Sequence, residues 1–135
     1  MTEPTGAIQF KQQALNQILQ AACQEGQFTT AILASPEGFL MAAAASISTG
    51  QAETVAAMMA YLRDAAQRTG TQLGLPPLDE VVIRDQEGRL TICRPFRVAD
   101  QDELILMVTA PVRQAYRRLM NVAIQQICDA WQAGR

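Results

Sequence analysis

Ala31-Ile32-Leu33-Ala34-Ser35-Pro36-Glu37-Gly38-Phe39-Leu40-Met41-Ala42 places two apolar runs on either side of a short polar turn. The same turn design returns at Asp85-Gln86-Glu87-Gly88, again between apolar runs. A turn ending in Glu-Gly suits a type I turn closed by a residue with positive φ, which glycine adopts without steric cost. Pro36 fits the second turn position, where its ring presets the required φ. Between the two turns lies one long Ala/Met-rich stretch with helical periodicity. The chain therefore reads hairpin, helix, hairpin, strand, with a helix at each end.

Working outward, Ile8, Leu15, Ile18, Leu19 and Ala22 recur at helical spacing and predict a first helix from about Ile8 to Gln24, stopped by Gly26. Phe28 to Ala34 is the first strand and Phe39 to Ala44 its partner. Ser46 to Gly50 is a small-residue linker, with Gly50 expected as N-cap and Glu53 bonding back to the cap amide. The long helix then runs from Gln51 towards Leu73, with Gly74 as its left-handed end and Pro76-Pro77 barring continuation. Leu78 to Arg84 alternates as a strand, and Arg89 to Phe96 follows with Leu90, Ile92 and Arg94 on one face and Thr91 and Cys93 on the other. Ala99 to Glu103 is an acidic loop, and Leu104 to Thr109 is apolar on both faces. Pro111 is expected to open the last helix, whose stripe is Val112, Tyr116, Leu119, Ala123, Ile127 and Trp131. One domain spans residues 8–131, with short tails at 1–7 and 132–135.

A strand apolar on both faces is covered on both sides and belongs mid-sheet. Phe28–Ala34 and Leu104–Thr109 meet that test, so the first and last strands are central and a hairpin flanks each side. The fold class expected is α/β (α+β): a single five-stranded, mostly antiparallel sheet, with the long helix on one face and two helices on the other.

Composition narrows the function. At 135 residues with 49% apolar and 18% charged residues, the chain can bury a substantial core. Its 11 Lys+Arg against 13 Asp+Glu argue against a general nucleic-acid binder. Lys11 is the only lysine, and arginine favours bidentate and interface contacts. Cys23, Cys93 and Cys128 form no CxxC pair or zinc pattern and read as reduced thiols. Met1 to Gly6 is polar with no apolar signal core behind it, and no apolar run approaches the ~18 residues of a spanning helix. A cytoplasmic protein without membrane insertion is expected.

The order helix, two strands, long helix, three strands, helix also meets local matches to a known family. Ala31 to Ala42 resembles the first hairpin of the Roadblock family of dynein light-chain-like domains: an apolar strand, a polar turn ending in Gly, and an apolar strand ending in small residues. Leu73-Gly74-Leu75 leading into Glu80-Val81-Val82-Ile83 resembles the family's helix exit and third strand. The resemblance covers roughly Ile8 to Ala130. It implies a Roadblock/longin-like sandwich that forms a homodimer, the third strand pairing antiparallel with its copy and the long helix packing beside its copy. It further implies a non-catalytic adaptor, since bacterial members are often found with small Ras-like GTPases.

Two local features bear on that implication. Val55, Met58, Met59, Leu62, Ala65, Ala66 and Thr69 share one side of the long helix and are expected to face the sheet. The other side carries Ala57, Ala60, Asp64, Gln67 and Arg68, with Ala56 and Tyr61 at its margins, and is the expected dimer or partner face. Small residues there lower the profile of the helix, and Tyr61 is an aromatic of the kind enriched at interfaces. The expected dimer edge is Glu80, Val81, Val82, Ile83 and Arg84, where apolar side chains flank unpaired backbone groups. Pairing with its own copy would remove that hazard.

Arg84, Arg89, Arg94 and Arg97 cluster around the second hairpin, where local pairing is the simplest reading. Arg113, Arg117 and Arg118 stand at the start of the last helix, against its dipole. Catalytic chemistry is lacking: the sequence has no histidine, no nucleophile with a matching base, and no phosphate-cradling glycine loop. Asp100, Asp102 and Glu103 lack the spacing of a calcium loop. No cofactor, metal or catalytic residue is expected, and no single arginine is marked out as a finger for a GTPase. The reading is a non-catalytic homodimeric regulator of a small GTPase. A sensory or ligand-binding α/β module, or a structural subunit of a larger scaffold, is the alternative.

Overall fold

The computed structural model describes residues 5–45, 47–99, 102–111 and 115–133, with backbone alone at 5–10 and 45. The elements are α1 (Thr5–Gly26), β1 (Thr30–Ala34), β2 (Leu40–Ala45), α2 (Thr49–Gln72), β3 (Val81–Arg84), β4 (Leu90–Arg97), β5 (Glu103–Ala110) and α3 (Arg117–Ala133). They build one antiparallel sheet in the order β2-β1-β5-β4-β3. The two strands that are apolar on both faces are indeed the central neighbours, Ile32 pairing with Met107 and Leu33 with Leu106.

Alternation along β1 and β5 then feeds two cores. Leu33, Leu106, Val108 and Ile92 meet Leu15 and Leu19 of α1 and Met120 and Ile127 of α3. Ile32, Ile105 and Cys93 meet Ala52, Ala56 and Met59 of α2 on the other face. Each large aliphatic side chain so buried contributes roughly 1.5–3 kcal/mol, so the two layers together hold the sheet.

Both hairpin turns share one hydrogen-bond scheme. In the first, the Gly38 amide donates to the Ser35 carbonyl at 3.0 Å, the Ser35 amide to the Phe39 carbonyl at 2.9 Å, and the Phe39 amide to Ser35 Oγ at 3.0 Å. In the second, Gly88, Asp85 and Arg89 repeat these roles, with Asp85 Oδ1 accepting the Arg89 amide at 2.9 Å. Gly38 and Gly88 sit at φ of 96° and 91°, the left-handed residues the sequence required.

Several helix boundaries differ from expectation. Ser48, not Gly50, is the N-cap of α2, and Gln51 rather than Glu53 completes the capping box. A serine hydroxyl satisfies an orphan amide directly, which glycine cannot do. Gly26 is the last residue of α1 and Gln27, at φ 55°, takes the left-handed turn. A Cβ at Gly26 would lie 2.7 Å from the Phe28 ring, so glycine serves close packing there. The last helix begins at Arg117, not at Pro111. Val112 and Arg113, and Asp100 in the acidic loop, lie outside the described residues. β3 is shorter than the expected Leu78–Arg84, beginning at Val81, so Glu80 lies just before it.

Candidate functional site

The sheet has two edges, and they are treated differently. At β2, the side chain of Asn16 on α1 reaches the strand and its Oδ1 accepts the Ala43 amide at 3.3 Å. One amide of that edge strand is thereby taken by α1. At β3 the only sheet partner among the described residues is β4. Asp85 and Arg89 form a hydrogen-bonded pair, so alternation makes Ile83 and Val81 the residues bonded to β4. Val82 and Arg84 therefore point their N–H and C=O groups outward. Val82 and Ile83 are 44% and 43% exposed. An edge that is apolar and unpaired is the kind that recruits another strand.

Where β3 begins, a polar cluster ties its entry to β4 and α3. Arg94 donates from Nη2 to Glu80 Oε1 at 2.8 Å and from Nε to the same oxygen at 3.2 Å. Its Nη1 donates to Asn121 Oδ1 on α3, and the Tyr116 hydroxyl donates to Glu80 Oε2 at 2.8 Å. Burial alone would raise the Glu80 carboxyl, but the bonds from Arg94 and Tyr116, with the charges of Arg94 and Arg117, hold it below its ordinary value. Arg94 keeps the expected face with Leu90 and Ile92, and its partner is internal. Arg89 is likewise paired locally, 2.7 Å from Asp85 Oδ2. The misfit of Arg117 at a helix N-terminus is answered by the Tyr116 hydroxyl and by Glu80 and Asp79.

The long helix is rotated from its expected setting. Ala56 and Ala60, assigned to the partner face, are buried, and Met58, assigned to the sheet, is 58% exposed. Thr69 is also exposed, and Val55, Leu62 and Ala65 are half-buried. The reason is a close approach between α2 and the first hairpin. A Cβ on Gly38 would stand 3.1 Å from the Ala57 Cα and 3.5 Å from the Ala60 Cβ. The alanines lower the helix profile towards the chain's own turn and sheet. Of the expected outward residues, Ala57, Tyr61 and Asp64 are exposed, Tyr61 by 74%. Gln67 is half-buried and its Oε1 accepts the Leu78 amide at 3.4 Å. The apolar surface that α2 does offer is Met58 and Tyr61, with Phe39 of the first hairpin also exposed. A count of apolar side chains missed this, since it sends the largest residues inward.

An open cleft of about 480 Å³ lies by the first turn, between Met41, Arg63, Glu103, Leu104 and Trp131 among others. Arg63 is already engaged there, 2.6 Å from Glu103 Oε1. Burial pushes Cys93 up to about 11 and also raises Cys23 and Cys128, the latter aided by Asp129, which disfavours the reactive thiolate at each. Among the described residues no cluster of three potential metal ligands occurs, and no helix is long and apolar enough to cross a membrane.

Comparison with solved structures places this architecture beside three others. A Roadblock/LC7 domain from Streptomyces avermitilis superposes with a TM-score of 0.71 at 16% identity, covering 87% of this chain and 95% of that one. The gliding protein MglB from Thermus thermophilus gives 0.72 at 15% identity, covering 91% and 92%. An MglB described in a tetrameric arrangement gives 0.74 at 15% identity, covering 93% of each chain. At such identities the likeness is one of fold. Among curated proteins no sequence match is found. The family model of the Roadblock/LC7 domain matches residues 15–110, from the middle of α1 to the last residue of β5, and the chain belongs to that family.

Proposed function

We propose that this chain is a non-catalytic, cytoplasmic adaptor that works as a homodimer and regulates a small Ras-like GTPase. The observation that carries the reading is the contrast between the sheet edges: at β2 Asn16 of α1 takes the Ala43 amide, while β3 leaves Val82 and Arg84 unpaired beside exposed Val82 and Ile83 side chains. A second copy joined at β3 would extend the sheet and bring the two α2 helices side by side. Met58 and Tyr61 would then meet their copies or the partner. Membership of the Roadblock/LC7 family supports the adaptor role, and the resemblance to bacterial members of that family, often found with small Ras-like GTPases, suggests such a GTPase as the partner.

Sedimentation equilibrium over a concentration range tests the dimer. Capture from lysate supplied with GTP or GDP, followed by hydrolysis assays on the recovered protein, tests the GTPase. Recovery of a Ras-like GTPase with a nucleotide preference supports the regulator. A dimer that recovers no GTPase with either nucleotide contradicts that part.

A further inference from the structure

We propose that two copies join β3 to β3 in one defined register, with the two-fold axis at Val82, so that each Arg84 stands opposite Glu80 of the partner subunit. The inference rests on the homodimer reading and adds to it the alignment and the charges that set it.

Backbone parity limits the choices first. Val82 and Arg84 present outward N–H and C=O groups, and a ladder extended by a second copy would continue this alternation back to Glu80, just before the strand. A symmetric antiparallel pair must set outward residues opposite outward residues. Near the middle of β3 that leaves axes at Val81, Val82 or Ile83.

Charge then separates the three. An axis at Ile83 sets the two Arg84 side chains diagonally across the axis on one face, like against like. It also sets Val81 opposite Asp85, apolar against charge. An axis at Val81 makes the matching error with the two Glu80 side chains. It also places Asp79 opposite Ile83 and Arg84 opposite Leu78, charge against apolar. Only the axis at Val82 sets Val82 against its copy, Val81 against Ile83, and Glu80 against Arg84 twice. Opposite charges directly across a ladder stabilise it and like charges oppose it.

The side chains needed for the pairs share a face. Glu80 bonds Arg94, which reaches Asn121 on α3. Val82 lies opposite Ile92 and Arg84 opposite Leu90, both of which belong to the core beneath α1 and α3. All three therefore project on the α1/α3 side of the sheet. Glu80 holds Arg94 and Tyr116 and, as a carboxylate, retains further acceptor sites. Arg84 is exposed and pairs with no carboxylate among the described residues.

Single cysteines read the register directly. With Cys23→Ser, Cys93→Ala and Cys128→Ser in place, since Cys93 faces Val81 across the β3–β4 ladder, Val81→Cys, Val82→Cys and Ile83→Cys are each oxidised mildly. Residues facing each other across a hydrogen-bonded pair are about 5.5 Å apart at Cα, within disulfide reach. The expected result is a covalent dimer from Val82→Cys alone, with Val81→Cys and Ile83→Cys linking only when mixed. Self-linking of Val81→Cys or Ile83→Cys without Val82→Cys overturns the register and leaves the dimer standing. A sedimenting dimer that links at none of the three overturns strand pairing as its basis. A monomer at all concentrations overturns the homodimer reading itself. Arg84→Glu should weaken dimerisation by about tenfold, and Arg84→Gln by less. Equal affinity in both variants contradicts the charge pairs.

Discussion

The edges at β2 and β3 begin with the same problem and end differently. Both are short strands at the rim of one sheet, and both follow from a hairpin with the same turn chemistry. β2 is partly guarded by α1, whose Asn16 takes the Ala43 amide. β3 has no such cover among the described residues, yet its first approach is anchored firmly by Glu80, Arg94, Tyr116 and Asn121. A strand held rigidly at its entry but left open along its outer side suits docking. The covered edge and the open one teach that exposure alone does not mark an interface, whereas selective exposure of a pre-ordered edge does.

The largest effect on stability should come from unpinning β3. Arg94→Ala removes the cation from the largely buried Glu80 carboxylate, leaving the Tyr116 hydroxyl as its remaining partner, and should cost about 3 kcal/mol in denaturant unfolding. A loss below about 1 kcal/mol would mean that the anchor is incidental. Val82→Pro comes next and acts on association. Proline removes an outward donor, which an edge strand tolerates, so the monomer should lose only about 1 kcal/mol while sedimentation shows the dimer gone. A dimer that survives this change breaks the contrast between the edges.

On the guarded side, Asn16→Ala should cost about 1 kcal/mol by orphaning the Ala43 amide, with dimer affinity unchanged. If that substitution weakens the dimer instead, β2 is the interface. Last, acid should loosen the β3 anchor. The folded Glu80 carboxyl titrates below its ordinary value of 4.5, so its stabilisation is complete above that value and is lost as pH falls through the lower, folded one. Thermal melts of the native chain and of Glu80→Gln should therefore converge as pH drops below 4.5. Curves that stay parallel would remove Glu80 from the account.

The architecture was legible because two kinds of residue fixed it. The paired Glu-Gly turns announced both hairpins, and strands apolar on both faces announced the centre of the sheet. The setting of α2 was not legible, because it depends on Gly38 approaching Ala57 and Ala60 from a distant part of the chain. Alanine is small enough for either surface, so composition could not say which one it served. The Glu80–Arg94 anchor was half-visible: alternation gave the face of Arg94, but its acceptors lie far away along the chain, before β3 and on α3. Asn16 carried no signal at all among the glutamines of α1.

Amide hydrogen exchange along β3 tests the central claim most directly, because alternate amides in one strand report on opposite neighbours. Val81 and Ile83 bond to β4 and should be protected in any folded state. If β3 pairs with a second copy, Val82 and Arg84 should also exchange slowly, and increasingly so as protein concentration rises. If Val82 and Arg84 exchange at the rate of open chain at every concentration while Val81 and Ile83 stay slow, the edge is free and the account is wrong.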